Sequence, residues 1–220
     1  MLPSLVIFDL DGTLIDSAPD LAAAINAMLA GYERKPLSIG EVRRMVGDGV
    51  AMLVGRAFAA RDGRPVDPAE AERSFMRHYE SGATSLTTVF PGAAGALQSL
   101  SAAGIPLAVC TNKPAGIAAA ILGGLGLGGY FARVIGGDSL PFRKPDPRVL
   151  LALLDEFRSA PQDALLVGDS EVDAATARAA GMPFALMKHG YRRGPVEDIP
   201  CRAALENFAE LPALVGLPLR

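Results

Sequence analysis

Short apolar runs alternate with longer segments of helical periodicity along most of this 220-residue chain. The first run, Leu5–Phe8, is rich in β-branched and aromatic side chains, which is typical of a strand buried on both faces in a parallel sheet. Further strands are predicted at residues 106–110, 133–135, 164–167 and 184–187. The helical segments between or beside them are residues 93–103, 114–125, 147–157 and 171–180. Such alternation predicts parallel pairing with right-handed crossovers.

The segment between residues 17 and 83 differs, because it has helical periodicity and no convincing strand. Ser17 and Asp20 fit a capping box at the start of its first helix, and Asp67 followed by proline starts its last. We therefore expect an α/β fold: a doubly wound parallel sheet of Rossmann-like topology with an inserted all-helical domain. The predicted division is residues 1–16 and 84–220 for the α/β core and residues 17–83 for the helical domain.

Two carboxylates, Asp9 and Asp11, follow the first predicted strand and precede Gly12. Residues i and i+2 of an extended chain point the same way, so both side chains should face one cleft. Two such charges ~4 Å apart repel by roughly 4 kcal/mol at an effective dielectric of about 20. The pair therefore indicates that a cation lies close by.

Polar residues also follow three of the other predicted strands. Ligands of open parallel sheets bind beyond the carboxyl ends of the strands, so these residues should converge on one site. One group begins a helix, where free N–H groups suit an anion. The converging candidates are Asp9, Asp11, Thr111, Asn112, Lys144, Asp169 and Asp173. Every one of these strand ends carries a group suited to a phosphate or a metal ion.

The charges in this predicted site favour a divalent cation. Four aspartates would meet there, and Lys144 alone does not balance them. Mg²⁺ is the usual ion where carboxylate oxygens and a substrate phosphate share the coordination shell. The chain has two histidines, so a zinc site built on histidine is not expected.

Composition limits the classes of partner that the protein is expected to bind. The net charge of −3 is too small to indicate attraction to nucleic acid or to a membrane surface. Two cysteines far apart in sequence, and a first segment that leads directly into a strand, favour a cytoplasmic protein without disulfides. The expected partner is a small phosphorylated metabolite, and both a monomer and a homodimer remain open.

The chain resembles the haloacid dehalogenase superfamily of phosphatases. The resemblance covers nearly the whole chain, and the helical insertion sits where that family carries its cap domain. Four motifs carry the resemblance in order: Asp9-Leu10-Asp11-Gly12-Thr13, Thr111, Lys144, and Gly168-Asp169 with Asp173.

The resemblance implies a role for each residue. Asp9 would be the nucleophile that forms an aspartyl-phosphate, and Asp11 would protonate the leaving alkoxide and then deprotonate water. Asp9, Asp169 and the backbone carbonyl of Asp11 would bind Mg²⁺. The phosphoryl oxygens would be held by Thr111 and Lys144, with Asn112 beside them, and Asp173 would orient Lys144 or the metal shell.

Within that superfamily, further segments are similar to the phosphoglycolate phosphatases. Two of these segments are Asp16-Ser17-Ala18-Pro19-Asp20-Leu21 and Thr111-Asn112-Lys113-Pro114. The similarity implies a Mg²⁺-dependent phosphomonoester hydrolase that acts on a small carboxylated substrate, 2-phosphoglycolate. A pyrophosphatase, a nucleotidase and a sugar-phosphate phosphatase or mutase are alternatives. A non-catalytic phosphate-binding module is a further alternative, against which the intact acid pair argues.

Some residues near the motifs have simpler interpretations. Asp173 follows Ser170 at the spacing of a capping box, and this role is compatible with one in the site. Asp20 reads as a helix cap, and Lys113 reads as a solvated lysine beside a helix start. Arg43 precedes the loop at residues 46–49 and is a candidate partner for a substrate carboxylate.

Overall fold

A six-stranded, all-parallel sheet forms the centre of the computed structural model, which describes residues 2–63, 66–82 and 85–217. In chain order the strands are β1 (Leu5–Phe8), β2 (Ile15–Asp16), β3 (Thr88–Val89), β4 (Leu107–Cys110), β5 (Arg133–Ile135), β6 (Ala164–Gly168), β7 (Phe184–Met187) and β8 (Ala203–Leu205). Their order in the sheet is β5-β4-β1-β6-β7-β8, and β2 and β3 form a separate antiparallel ribbon.

Helices cover both faces of the sheet. They are α1 (Ala18–Gly31), α2 (Ile39–Arg43), α3 (Val50–Ala59), α4 (Pro68–Glu80), α5 (Ala93–Ala102), α6 (Ala115–Gly124), α7 (Arg148–Glu156), α8 (Glu171–Ala180) and α9 (Leu211–Leu214). Helices α7 and α8 pack on one face, while α5, α6 and α9 pack on the other. These two layers around a parallel sheet confirm the predicted doubly wound α/β fold.

Strand β1 lies near the middle of the sheet and is buried on both sides, as its apolar run predicts. Val6 and Phe8 point into the cluster that contains α5 and α6, while Leu5 and Ile7 point into the cluster that contains α7 and α8. All four side chains are fully buried. Alternate side chains of this one strand therefore pack against both helical layers.

The strand order places a topological switch point between β1 and β6. From β1 the chain moves outward through β4 to β5, and then crosses back to β6 on the other side of β1. Phe8 pairs with Val167, and the backbone N–H of Asp9 donates to the carbonyl of Val167 over 2.9 Å. The residues that follow β1 and β6 therefore emerge side by side at the position where such sheets bind ligands.

Four helices, α1 to α4, lie between β2 and β3 in the chain, as the helical periodicity predicts. Asp67 caps α4 by accepting from the backbone N–H of Ala69 over 3.0 Å. Apolar side chains of the four helices, such as Ile25 and Phe75, join the same buried cluster as Val6 and Phe8. The division into two domains stays a prediction, and its boundary between residues 83 and 84 lies outside the described residues.

The capping box expected from Ser17 and Asp20 is wrong. Ser17 stands at the N-cap of α1, but its hydroxyl donates to Asp11 Oδ1 over 2.5 Å. Asp20 instead accepts from the backbone N–H groups of Leu86 and Thr87, the nearer at 2.7 Å. Ser17 therefore pairs with the half-buried Asp11, 6 residues earlier, whereas Asp20 pairs with donors 66 and 67 residues later in the chain.

Two parts of the fold are additional to the sequence prediction. The β2–β3 ribbon is formed by the two segments that connect the helical insertion to the rest of the chain. Strand β8 extends the sheet beyond β7. In the part of the chain that the structure describes, none of the helices combines the length and apolar character needed to cross a membrane.

Candidate active site

The carboxyl ends of four strands bring the predicted residues to one place. Lys144 lies between two carboxylates: its Nζ is 2.8 Å from Asp9 Oδ1 and 2.7 Å from Asp173 Oδ1. Its side chain is 2% exposed, so both ion pairs are shielded from water. Carboxylate oxygens of Asp9, Asp169 and Asp173 all lie within 4.8 Å of one another. Segments far apart in sequence therefore form one acidic cluster around a lysine.

Asp169 is fixed by groups from two other segments. Thr13 donates its hydroxyl to Asp169 Oδ1 over 2.6 Å, and the backbone N–H of Tyr191 donates to Oδ2 over 2.5 Å. Gly12 makes this packing possible, since its φ is +83° and a Cβ there would lie 2.5 Å from Asp169 Oδ2. The bend after β1 thus lets the backbone approach the carboxylate.

Asp173 combines the two roles that its spacing allows. Ser170 Oγ donates to Asp173 Oδ2 over 2.6 Å, and Ser170 in turn accepts from the backbone N–H of Asp173, so the capping box at the start of α8 is complete. The other carboxylate oxygen, Oδ1, accepts from Lys144. One side chain therefore anchors the helix and holds the lysine.

Asp11 lies apart from this cluster and has its own partners. It accepts from Ser17 Oγ at Oδ1, and its Oδ2 is 2.9 Å from Lys113 Nζ. Lys113 also donates to the hydroxyl of Tyr79 on α4 over 2.6 Å. The interpretation of Lys113 as a solvated lysine is therefore wrong: the residue is buried, with a cationic head between the sheet and the helical insertion.

Burial controls the ionisation of these groups. Burial raises the pKa of Asp9 to about 6, even though Lys144 opposes the shift. The pKa of Asp169 is raised well above its usual range by burial and by the charges of Asp173 and Asp9. Burial alone would lower the pKa of Lys144, but Asp173 and Asp9 raise it above its ordinary value. Lys144 therefore stays charged, and three converging carboxyl groups share this one cation.

The donor set fits a hard divalent cation. Three carboxylates converge, and all three are buried. Asp9 Oδ1 lies 2.8 Å from Lys144 Nζ, and apart from this ion pair it has no hydrogen-bond partner among the described residues. A buried anionic oxygen without a hydrogen bond is costly, and a cation coordinated by oxygen ligands would remove that cost.

Thr111 and Asn112 follow β4 at the edge of the same site. Thr111 is buried, and the backbone N–H of Lys113 donates to its Oγ1 over 3.3 Å. The amide nitrogen of Asn112 donates to the carbonyls of Gly47 and Lys144, each over 2.9 Å. The Asn112 side chain therefore connects Gly47 of the insertion to the loop that contains Lys144. Direct phosphate binding by Asn112 stays a prediction.

A cavity of about 50 Å³ lies between the acidic cluster and the insertion. Asp9, Asp11 and Thr111 line it from the sheet, and Phe75 and Tyr79 line it from α4. Arg43 is not among the described lining residues, and its Nη2 instead lies 2.7 Å from Asp16 Oδ2. The predicted contact between Arg43 and a substrate carboxylate gains no support from this placement.

Lys113, Tyr79 and Tyr191 are the site residues that sequence reasoning missed. The Tyr191 hydroxyl accepts from the backbone N–H of Ala18 over 2.9 Å and pairs with Asp16, in addition to the Tyr191 backbone contact with Asp169. One signal was available for Lys113, because it directly follows Thr111 and Asn112 at a strand end. Tyr191 also follows a strand end, since it lies four residues beyond β7, whereas Tyr79 lies on a helix of the insertion.

A doubly wound sheet with an acidic cluster and a buried lysine at its switch point defines a ligand-binding site suited to a phosphate and a metal ion. The model of the haloacid dehalogenase-like hydrolase family matches residues 3–181. The chain belongs to the haloacid dehalogenase-like hydrolase family.

Several phosphatases resemble the chain over almost its full length. Phosphoglycolate phosphatase from Cereibacter sphaeroides is 46% identical over 212 residues, which cover 96% of each chain. Phosphoglycolate phosphatase from Rhodospirillum rubrum is 46% identical over 223 residues, covering 99% of this chain and 92% of its own. The crystal structure of a predicted phosphoglycolate phosphatase from Haemophilus somnus 129pt superposes with a TM-score of 0.91 at 31% identity, covering 96% of this chain and 97% of its own. The protein is a phosphatase.

Proposed function

We propose that this phosphatase is a Mg²⁺-dependent phosphomonoesterase that hydrolyses 2-phosphoglycolate to glycolate and phosphate. The observation that carries the proposal is the buried cluster of Asp9, Asp169 and Asp173 around Lys144 at the switch point. Asp9 attacks the phosphorus atom, so that a carboxylate–phosphorus bond forms as the bond to the leaving oxygen breaks. Water then releases phosphate and regenerates the Asp9 carboxylate.

Asp11 is the proton donor for the leaving oxygen and afterwards the base for the attacking water. The Ser17 hydroxyl and Lys113 Nζ fix the orientation of its carboxylate. Lys144 and Thr111 hold phosphoryl oxygens and stabilise the charge that develops on them. Asp173 keeps Lys144 in position from the side opposite Asp9.

Asp9, Asp169 and the backbone carbonyl of Asp11 are the proposed ligands of the metal ion. When bound, Mg²⁺ supplies positive charge that offsets the carboxylates and polarises the phosphoryl group. Burial is the first cause of the raised pKa values of Asp9 and Asp169, and the charges of neighbouring carboxylates add to it. A cation bound among these carboxylates would offset both effects, which supports the assignment.

The substrate proposal has two supports. Relatives named phosphoglycolate phosphatase share 46% of their residues with this chain over at least 92% of their own length. The cavity beside Asp9 is small, about 50 Å³, and the insertion covers it, which favours a small phosphoester over a bulky one in this arrangement. Both cysteines are unpaired and Cys201 is exposed, which supports a reducing, cytoplasmic setting.

A comparison of kcat/KM across phosphoesters tests the proposal. The panel contains 2-phosphoglycolate, a hexose phosphate, pyrophosphate and a nucleoside monophosphate, each with Mg²⁺ and with a chelator. We expect 2-phosphoglycolate to exceed every other substrate by at least about tenfold, and the chelator to abolish turnover. A higher kcat/KM for any other member would overturn the substrate assignment, and full activity with the chelator would overturn the metal dependence.

A further inference from the structure

The cavity has a polar floor and an apolar roof. Its roof comes from the insertion and includes Leu21, Leu53 and Phe75, whereas Asp9, Asp11 and Thr111 belong to the floor. A substrate that carries a second anionic group beside its phosphate must place that group inside this space. Burying an anion without a partner is strongly unfavourable, so the cavity needs a counter-charge away from the phosphoryl site.

Among the described residues that line the cavity, Lys113 is the one cation. Lys144 is held between Asp9 and Asp173 on the phosphoryl side. Arg43 is paired with Asp16, and its side chain is 46% exposed. The counter-charge therefore belongs to Lys113, whose side chain is only 3% exposed.

The position of Lys113 matches the covalent structure of a 2-phospho-carboxylate. The leaving oxygen must lie within hydrogen-bond distance of Asp11 if that residue protonates it. A single methylene separates this oxygen from the carboxylate in 2-phosphoglycolate. Lys113 Nζ is 2.9 Å from Asp11 Oδ2, so a group bound next to Asp11 lies within reach of the ammonium.

We propose that Lys113 and Tyr79 form the subsite for the substrate carboxylate, an inference that rests on the proposed function and deepens it. An ammonium has three N–H donors; the contacts with Asp11 and Tyr79 occupy two, and the third serves a carboxylate oxygen. Tyr79 accepts from Lys113, so its own hydroxyl hydrogen can be donated to the substrate. Lys113 follows β4 and Tyr79 lies on α4, so the subsite is complete only when the insertion contacts the sheet domain as it does here.

The test compares two substrates that differ in one group. 2-Hydroxyethyl phosphate has the same phosphoester as 2-phosphoglycolate and a neutral hydroxymethyl in place of the carboxylate. The readout is the ratio of kcat/KM for the two substrates, because Lys113→Met also removes a partner of Asp11 and slows both reactions. We expect Lys113→Met to lower this ratio about 10- to 100-fold, the value of one charge-assisted hydrogen bond. Tyr79→Phe should lower it about 3- to 10-fold.

Matched variants separate recognition from a general effect. Arg43→Met removes a cation near the cavity and should change the ratio less than about twofold, while Lys113→Arg should keep more of the ratio than Lys113→Met. Should Lys113→Met fail to fold, Tyr79→Phe decides, since it deletes one hydroxyl. An unchanged ratio in Lys113→Met or in Tyr79→Phe overturns the subsite. A wild-type ratio near one also overturns it, while leaving the phosphomonoesterase proposal intact.

Discussion

Lys144 shows at the scale of one residue how the site is balanced. Its ammonium lies between Asp9 and Asp173, and Asp169 adds a third carboxylate within the same cluster. Each buried carboxylate costs several kcal/mol unless it is paired. The lysine is therefore part of the stability of the fold as well as a proposed ligand of the phosphoryl group.

Lys144→Met should lower the free energy of unfolding by about 3–5 kcal/mol at about pH 8 without divalent ions, because it leaves a buried anionic cluster without its cation. Its kcat should fall at least about 100-fold, since a charge that stabilises the transition state is lost. Urea denaturation and steady-state kinetics measure the two effects. Lys188→Met is the matched control: that lysine pairs with Glu206 at the surface, and its loss should cost less than about 1 kcal/mol. Equal losses of stability in the two variants would contradict this view of Lys144.

The sequence identifies the residues whose spacing is local and misses those whose role depends on distant contacts. Asp9 and Asp11 are recognisable because they follow a strand at alternate positions. Lys113 looks like a solvated lysine, because its burial depends on Tyr79, which is 34 residues away in the chain and on another helix. Arg43 has the charge expected of a specificity residue, but its ion pair with Asp16 holds it outside the cavity lining.

At the scale of the elements, Asp20 connects the first helix of the insertion to the returning chain. Its carboxylate accepts from the backbone N–H groups of Leu86 and Thr87 and from the Thr87 hydroxyl, at distances of 2.6 to 3.1 Å. Asp20 is buried near the start of α1, and the two donor residues lie directly before β3. One side chain thus connects the two chain segments that lead into and out of the four helices.

Asp20→Ala should destabilise the protein by about 3 kcal/mol, because it leaves buried donors without an acceptor. The free energy of unfolding in urea measures the change. Asp155→Ala provides the control: Asp155 is exposed on α7, and its removal should change stability by less than about 0.5 kcal/mol. A loss for Asp20→Ala as small as that of the control would show that the Asp20 contacts contribute little.

Element prediction succeeded where periodicity extends over several residues. The run at β1 and the helical periods of α5 to α8 are long enough to be recognised. Strands β2 and β3 have two residues each, too few positions to show alternation, and β8 (Ala203–Leu205) lacks the β-branched side chains of the equally short β5. Their pairing is decided by tertiary contacts, and sequence pattern alone does not reveal it.

At the scale of the whole molecule, the loop at residues 46–49 is held by residues that follow two strands of the parallel sheet. Asn112 donates to the carbonyl of Gly47, and Arg193 pairs with Asp48, which also binds Arg56 on α3. The loop lines the roof of the cavity through Val46 and Gly49. These contacts hold the insertion in an arrangement that encloses a small substrate.

Arg193→Gln should raise KM by about 2- to 5-fold at low ionic strength, because a partly exposed ion pair that holds the loop closed is lost. The wild-type and variant values should converge at about 0.5 M salt, where the pair is screened in both proteins. Arg202→Gln, a similar change at an exposed arginine that lies outside the cavity lining, serves as the control. A difference in KM that stays the same at every salt concentration would rule out the electrostatic explanation.

The phosphoenzyme is the most direct test of the account as a whole. The enzyme is mixed with 2-phosphoglycolate and Mg²⁺, quenched in acid within milliseconds, digested and analysed by mass spectrometry. The account predicts one phosphate on the peptide that contains Asp9, absent in Asp9→Asn and absent when substrate is omitted. Phosphate on a different residue, or rapid turnover by Asp9→Asn, would contradict it.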